Sequence, residues 1–266
     1  MSNSIFYFTG SGNSLALARS ISDRLGDTDV RAIAQHLDGD GISGKERVGL
    51  VFPTYLWVLP RMVAEFARKL RVDSDTYVFA ITVCSGTAGR TLKQLRRALR
   101  SNRVRLRAGF VVREDEERFW PGRSDDKRTS RMGRMMMRNP PATAHERIEE
   151  IAGAVRRKDQ RNPETTNPIL AALMGPLVRS SAERMLRTGD ADFSATAACV
   201  SCGTCTRVCP RKNVTLEDGQ PIWHHDCETC YACLLWCPEG AITHRGSSRK
   251  EPAHHAEVTL RDMILR

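Results

Sequence analysis

The stretch SIFYFTGSGNSLALARSISDRL, residues 4–25, runs from an apolar segment, Ser4 to Phe8, through a loop of small residues into a stretch with Leu17, Ile21 and Leu25 four apart. The first part reads as a short buried strand and the last, Leu15 to Leu25, as a helix. A strand that passes through small residues into a helix makes an anion site. Backbone N–H groups and the positive helix end face the anion, and Thr9, Ser11, Asn13 and Ser14 add side-chain donors around Gly10 and Gly12. A Walker A loop needs a lysine that is missing here, and a dinucleotide fingerprint needs a third glycine where this chain has Leu15. What remains is a loop for one phosphate held without a basic side chain. The plainer alternative is an ordinary turn with a good helix cap.

The context decides between them. TGSGNS, residues 9–14, resembles the FMN phosphate loop of flavodoxins, which reads T-x-T-G-N-T or T-G-S-G-N-S. Further strands are read at Val30 to Ile33, Val48 to Phe52, Tyr77 to Val83 and Arg105 to Val112. Helices are read at Arg61 to Leu70, Ala88 to Arg100 and His145 to Lys158. Five strands alternating with helices predict a flavodoxin-like α/β doubly wound parallel sheet, order 2-1-3-4-5, with its ligand at the carboxyl ends of the strands. In the resemblance, PTYLWVLP at 53–60 is the loop that lays an aromatic ring on the flavin, with Trp57 the first choice and Tyr55 the second. Core packing of both rings is the plainer alternative. In the next loop Ser85 and Gly86 would let the backbone approach the flavin's pyrimidine edge. That loop has no aromatic between Thr82 and Leu92, so one flavin face is expected to be open; Val58 stands where flavodoxins usually carry the glycine that flips its peptide toward flavin N5, so a stabilised semiquinone is not assumed.

Near the other end, CVSCGTCTRVCP at 199–210 and CETCYACLLWCP at 227–238 hold eight of the nine cysteines in one repeated pattern, C-x-x-C-x-x-C-x-x-x-C-P. Three cysteines at intervals of three wrap one cubane, while the fourth, before a proline, points toward the other cluster. Crossed wiring assigns Cys199, Cys202, Cys205 and Cys237 to one [4Fe-4S] cluster, and Cys227, Cys230, Cys233 and Cys209 to a second. Structural zinc needs two C-x-x-C pairs rather than two triplets with a trailing Cys-Pro. Disulfides do not suit a chain that shows no export signal. The C-x-x-x-C-x-x-C of radical-SAM enzymes is missing.

The 266 residues suit one medium and one small domain. We expect a flavodoxin-like domain at 1–160, a helical linker at 161–192, a 2[4Fe-4S] ferredoxin domain at 193–246 and a tail at 247–266. No apolar run is long enough for a signal peptide or a membrane span, and free thiolates suit a reducing cytoplasm. The net charge is +10, yet residues 193–246 carry four basic against five acidic side chains, so the surplus belongs to the rest. Much of it lies at 90–107, where Arg90, Lys93, Arg97 and Arg100 share a helix face and Arg103, Arg105 and Arg107 follow. A solvated face is the simplest reading; as a function it would dock an acidic redox donor or acceptor, and nucleic acid is disfavoured because no such motif accompanies the charge. Cys84 reads as a small apolar core residue, His224, His225, His254 and His255 as surface residues, and Met132 and Met135 to Met137 as packing rather than ligands.

Taken whole, the chain resembles the flavodoxin-ferredoxin fusion proteins of anaerobic bacteria and archaea, through FYFTGSGNS, P-x-Y-x-W-x-x-P, AGFVV, both cysteine runs and a closing VTL-x-D. The resemblance implies an electron-transfer iron–sulfur flavoprotein relaying single electrons between two [4Fe-4S] clusters and FMN. The rivals are a redox-sensing or nucleic-acid-binding module, and a flavodoxin-like domain that holds no FMN.

Overall fold

The computed structural model describes residues 2–38, 41–84, 87–113, 144–165, 182, 186, 188–248 and 254–264. Five parallel strands, β1 (Ser2–Tyr7), β2 (Thr28–Ala32), β3 (Lys45–Pro53), β4 (Tyr77–Cys84) and β5 (Leu106–Arg113), form one sheet in the order β2-β1-β3-β4-β5. Among the described residues four helices cover it: α1 (Asn13–Leu25), α2 (Arg61–Lys69), α3 (Thr91–Arg100) and α4 (Ala144–Arg156). The order is the one read from the sequence.

Alternation along each strand sorts the apolar side chains into two layers. Phe6, Leu50, Phe52 and Ala80 face α2 and α3 through Phe66, Leu92 and Leu95. Ile5, Val51, Phe79 and Phe110 face α1 and α4 through Leu17, Ile21, Ile151 and Val155. Every residue of β4 is buried, as the central run YVFAITVC requires of a strand covered on both faces. Helix α3 begins at Thr91 rather than Ala88, because Gly89 takes a φ of 50° and Arg90 lies outside helical geometry. Beyond α4 the chain runs beside the free edge of β5. Arg161 N–H donates to the Arg107 carbonyl, and Glu164 N–H to that of Gly109. These bonds satisfy groups that an open edge would leave unpaired.

The cysteine module is a small α+β unit. Strand β6 (Phe193–Ala195) pairs with β9 (Ile242–His244), which pairs with β10 (Ser247–Ser248). A hairpin of β7 (Val214–Glu217) and β8 (Gln220–Trp223) turns at Asp218 and Gly219, both at positive φ, as a tight Asp-Gly turn demands. One-turn helices α5 (Thr204–Arg207) and α6 (Ala232–Leu235) carry the third cysteine of each run. The module buries Phe193, Val208, Leu234, Trp236 and Ile242 together with Leu15 and Ala16 of α1. A C-terminal strap, residues 254–264 with α7 (Leu260–Met263), lies over the same seam through Val258 and Met263.

Candidate metal centres and phosphate loop

The two cysteine runs fold alike. Ser201 and Gly203 flank the second cysteine of the first run at positive φ, and Thr229 and Tyr231 occupy the same places in the second. Left-handed residues on either side of a cysteine curl the chain so that three Sγ atoms face inward. The fourth cysteine of each run is carried across to the other side.

Two cavities result. One is lined by Cys209, Cys227, Cys230 and Cys233. The other is lined by Cys199, Cys202, Cys205 and Cys237. Each takes three cysteines from one run and the last from the other. All nine cysteines are free. Among the described residues no three His, Cys, Asp or Glu side chains converge on a point where one metal ion would sit. A cubane holds each thiolate at its own iron, so its ligands stand apart around a cage, and four cysteines ringing a cavity fit that demand.

Backbone N–H groups reach three of the sulfurs: Asn213 to Cys209 (3.3 Å), Thr229 to Cys227 (3.2 Å) and Ala241 to Cys237 (3.3 Å). Such donors stabilise thiolate charge and raise a cluster's potential. Burial pushes the Cys205 and Cys227 thiols up to about 11 and raises Cys230 and Cys233 as well. These thiols are unreactive until a metal replaces the proton. Cys202 is the exception, lowered by its bond to the Thr204 hydroxyl, and it is exposed at the outer cavity.

The inner cavity abuts the α/β domain through a charged clamp that the sequence reading missed. Glu228, between the first two cysteines of its run, has a side chain only 2% exposed. Its carboxylate accepts from Arg211 (2.8 Å) and from the backbone N–H of Met62 at the start of α2 (2.9 Å). Arg211 also binds Glu65 of α2 through both terminal nitrogens, at 2.7 and 2.8 Å, and Arg61 of α2 reaches Asp226 and the Cys227 carbonyl. Burial raises the Glu228 carboxyl while the Arg211 and Arg61 guanidinium groups pull it down. The one available signal was an acidic residue inside a cysteine run followed by a basic one after Cys-Pro, and neither names its partner.

The loop after β1 lies against this cavity. A methyl group on Gly10 would sit 2.0 Å from the Cys230 carbonyl oxygen. The Gly10 carbonyl accepts the Trp236 indole N–H at 2.8 Å. Gly12 caps α1 at φ 96°, and a methyl there would meet Val258 of the strap at 3.0 Å. Thr9 and Ser14 are buried; Thr9 Oγ1 accepts from Gly12 N–H, and the Ser11 carbonyl accepts from His255 N–H. Helix α1 has no side-chain cap, and the N–H groups of Ser11, Asn13 and Ser14 have no acceptor among the described residues. The donor set therefore fits a phosphate. A third, small cavity reaches Thr9 between Tyr7, Ala32, Val208 and Met263.

Of the flavin-ring candidates, Tyr55 lies edge-on to Phe8 with centroids 6.3 Å apart and packs beside Val58. Trp57 is half-buried against Gly89. Ser85 and Gly86 lie outside the described residues, as do Met132 and Met135 to Met137. His224 and His225 are exposed, but His254 is not a free surface residue: it stacks on Trp236 at 3.9 Å and 11°, because the strap folds over the module.

No curated protein matches the chain. Among solved structures it is similar to a Fusobacterium nucleatum flavodoxin bound to flavin mononucleotide, at 13% identity over 60% of this chain and 99% of that one, TM-score 0.37. It is also similar to a short-chain flavodoxin associated with a PDU bacterial microcompartment, at 11% identity over 59% of this chain and 96% of that one, TM-score 0.38. A flavoprotein from Bacteroides uniformis matches at 11% identity over 43% of this chain and 92% of that one, TM-score 0.35. Residues 194–242 match the family model of the 4Fe-4S dicluster domain, so the chain joins a dicluster iron–sulfur domain to a flavodoxin-like sheet.

Proposed function

We propose that this chain is an electron-transfer iron–sulfur flavoprotein that relays single electrons between two [4Fe-4S] clusters and FMN, linking a low-potential ferredoxin-type donor to a protein or small-molecule acceptor in a reducing cytoplasm. When bound, the clusters exchange one electron at a time and FMN holds two, which matches one-electron carriers to two-electron chemistry. The observation that carries this reading is the pair of four-cysteine cavities, the inner of which shares a wall with the phosphate loop through the Cys230–Gly10 contact.

Each part of the chain has a task in that scheme. The two cysteine sets hold their cages through thiolates that burial keeps protonated until metal arrives. Phe193, Trp223 and Tyr231 screen the inner cage from water, which steadies its charge state. Arg211 and Glu228 stand on the wall of the inner cavity as an ion pair that fixes the cysteine run against α2. Ser11, Asn13 and Ser14 supply the N–H donors for the FMN phosphate. Among the described residues no helix is long and apolar enough to cross a membrane.

The test separates the cofactors. Removing Cys237 should empty only the cage of the first run, and removing Cys209 only that of the second, each leaving four of eight irons. Replacing Gly12 with a bulky residue should lower bound flavin without changing iron. Unchanged flavin in that variant would sink the loop assignment.

A further inference from the structure

Four large apolar side chains are exposed among the described residues, and they fall in two places. Val200, Leu216 and Ile222 lie on the cysteine module. Leu56, 43% exposed, stands alone on the loop after β3. The backbone is bent to put it there. Leu56 and Trp57 both take positive φ, 48° and 66°, which costs free energy in residues with a Cβ. The turn is closed by hydrogen bonds between Tyr55 and Val58, and Gln94 of α3 clamps it by donating to the Trp57 carbonyl and accepting from Leu59 N–H, both at 3.0 Å. A single exposed leucine is ordinary on a protein surface; what marks this one is the strained turn that carries it and the cationic helix that holds the turn.

The helix that holds it is cationic along its whole length. Lys93, Arg96, Arg97 and Arg100 follow the i, i+3, i+4, i+7 stripe of α3, and Arg90 precedes it on the face that carries Gln94 and Arg97. None of these five has an ion pair with the described residues, and the first turn of α3 contains no acidic residue. The arrangement works against the helix. Cations near its start oppose the macrodipole, and Lys93–Arg97 and Arg96–Arg100 are like pairs one turn apart. On the module, Val200 and Leu216 lie together at the outer cavity, beside Glu239 on its wall and Glu217 and Asp218 at the hairpin tip, while Ile222 pairs with Thr215 and faces the other side of the hairpin. Surroundings of opposite charge select different partners.

We propose that the Leu56–Trp57 turn and the cationic stripe of α3 form a docking port for an acidic electron-carrier protein, distinct from the port at the outer cysteine cavity. The inference rests on the electron-transfer reading above and gives one of its partners a place and a charge. One electron crosses per encounter, oxidising one protein and reducing the other, with no bond formed or broken. Leucine supplies the desolvated contact and the stripe guides and orients the partner.

The probe is oxidised plant plastocyanin, an acidic blue-copper protein whose colour is lost on reduction, mixed by stopped flow with the dithionite-reduced holoprotein. The rate should fall ~10-fold or more between low and high salt, as screening of steered association requires. The K93E/R97E/R100E variant should be slowed by on the order of 10-fold at low salt, with unchanged iron and flavin content and no slowing toward basic cytochrome c. The L56E variant should be slow at every salt concentration. A charge-reversed variant that reduces plastocyanin as fast as the parent overturns the proposal. So does duplex DNA that binds the parent at low salt and is released by the same substitutions. Binding of dye-labelled plastocyanin, followed by anisotropy, separates the port from the cofactors: charge-dependent binding to a chain that holds no flavin supports the port while contradicting the flavoprotein reading.

Discussion

At position 10 a single methyl group has no room, since it would overlap the Cys230 carbonyl oxygen. Glycine there reads from the sequence as a phosphate-loop residue, and the structure gives it a second task, close packing of the cysteine module on the α/β domain. Gly10→Ala should therefore loosen the module as well as the loop, at a cost of about 1–3 kcal/mol from overpacking. Thermal unfolding and the rate of iron loss to a chelator would both report it; a variant with normal iron retention would show that the contact is dispensable. The two four-cysteine sets that line the cavities were legible because their pattern is written in local spacing. Trp236 bonding to Gly10 and His254 stacking on Trp236 were not, because nothing in either neighbourhood names a partner more than two hundred residues away or at the far end of the strap.

Among the elements, α2 carries the charged contacts between the sheet and the cysteine module, beside the apolar contacts of α1. Its first turn offers the Met62 N–H and Arg61 to the module, and its second offers Glu65. Glu228→Ala takes one of two carboxylates from Arg211, which keeps Glu65, and leaves the Met62 N–H without its acceptor, so it should cost about 1–3 kcal/mol. Denaturant unfolding measures this, and an Arg211→Met/Glu228→Ala double variant should lose less than the two single variants combined, because the network acts as a unit. The strap is tied more weakly. Asp262 bonds Arg19 of α1 at 2.5 Å, and that bond holds its carboxyl well below the usual carboxylate range. A depressed carboxyl contributes stability above its unfolded value of about 4, and the contribution fades as pH falls below it. Asp262→Asn should thus speed proteolysis of the strap by a margin that is constant from about pH 5 to 8 and shrinks below about pH 4, corresponding to about 1 kcal/mol at most for a half-exposed pair. A margin that grows as the pH falls would contradict the assignment. Strand order and helix count were readable here because burial on both faces leaves continuous apolar runs such as β4, whereas helix starts shifted wherever a glycine at positive φ intervened.

For the whole molecule, the inner cysteine cavity, the loop after β1 and the strap share one buried seam. The outer cavity opens toward the module's exposed apolar side chains, Val200 and Leu216. On the proposed reading this ordering runs from the more exposed cysteine set through the buried one to the loop after β1. The cysteine pattern is readable in the sequence, whereas this layout is not. Motifs mark which residues carry charge and sulfur, but the seam is made of side chains that motifs do not include. The central claim is that one chain carries all three redox groups. The most direct measurement is iron, sulfide and flavin content per chain, with a visible spectrum, on protein purified without oxygen. Two cubanes and one flavin require ~8 iron, ~8 sulfide and ~1 FMN. A full complement of iron with no flavin, even after FMN is added, would contradict the account and leave the flavodoxin-like domain a docking or sensing part beside an iron–sulfur module.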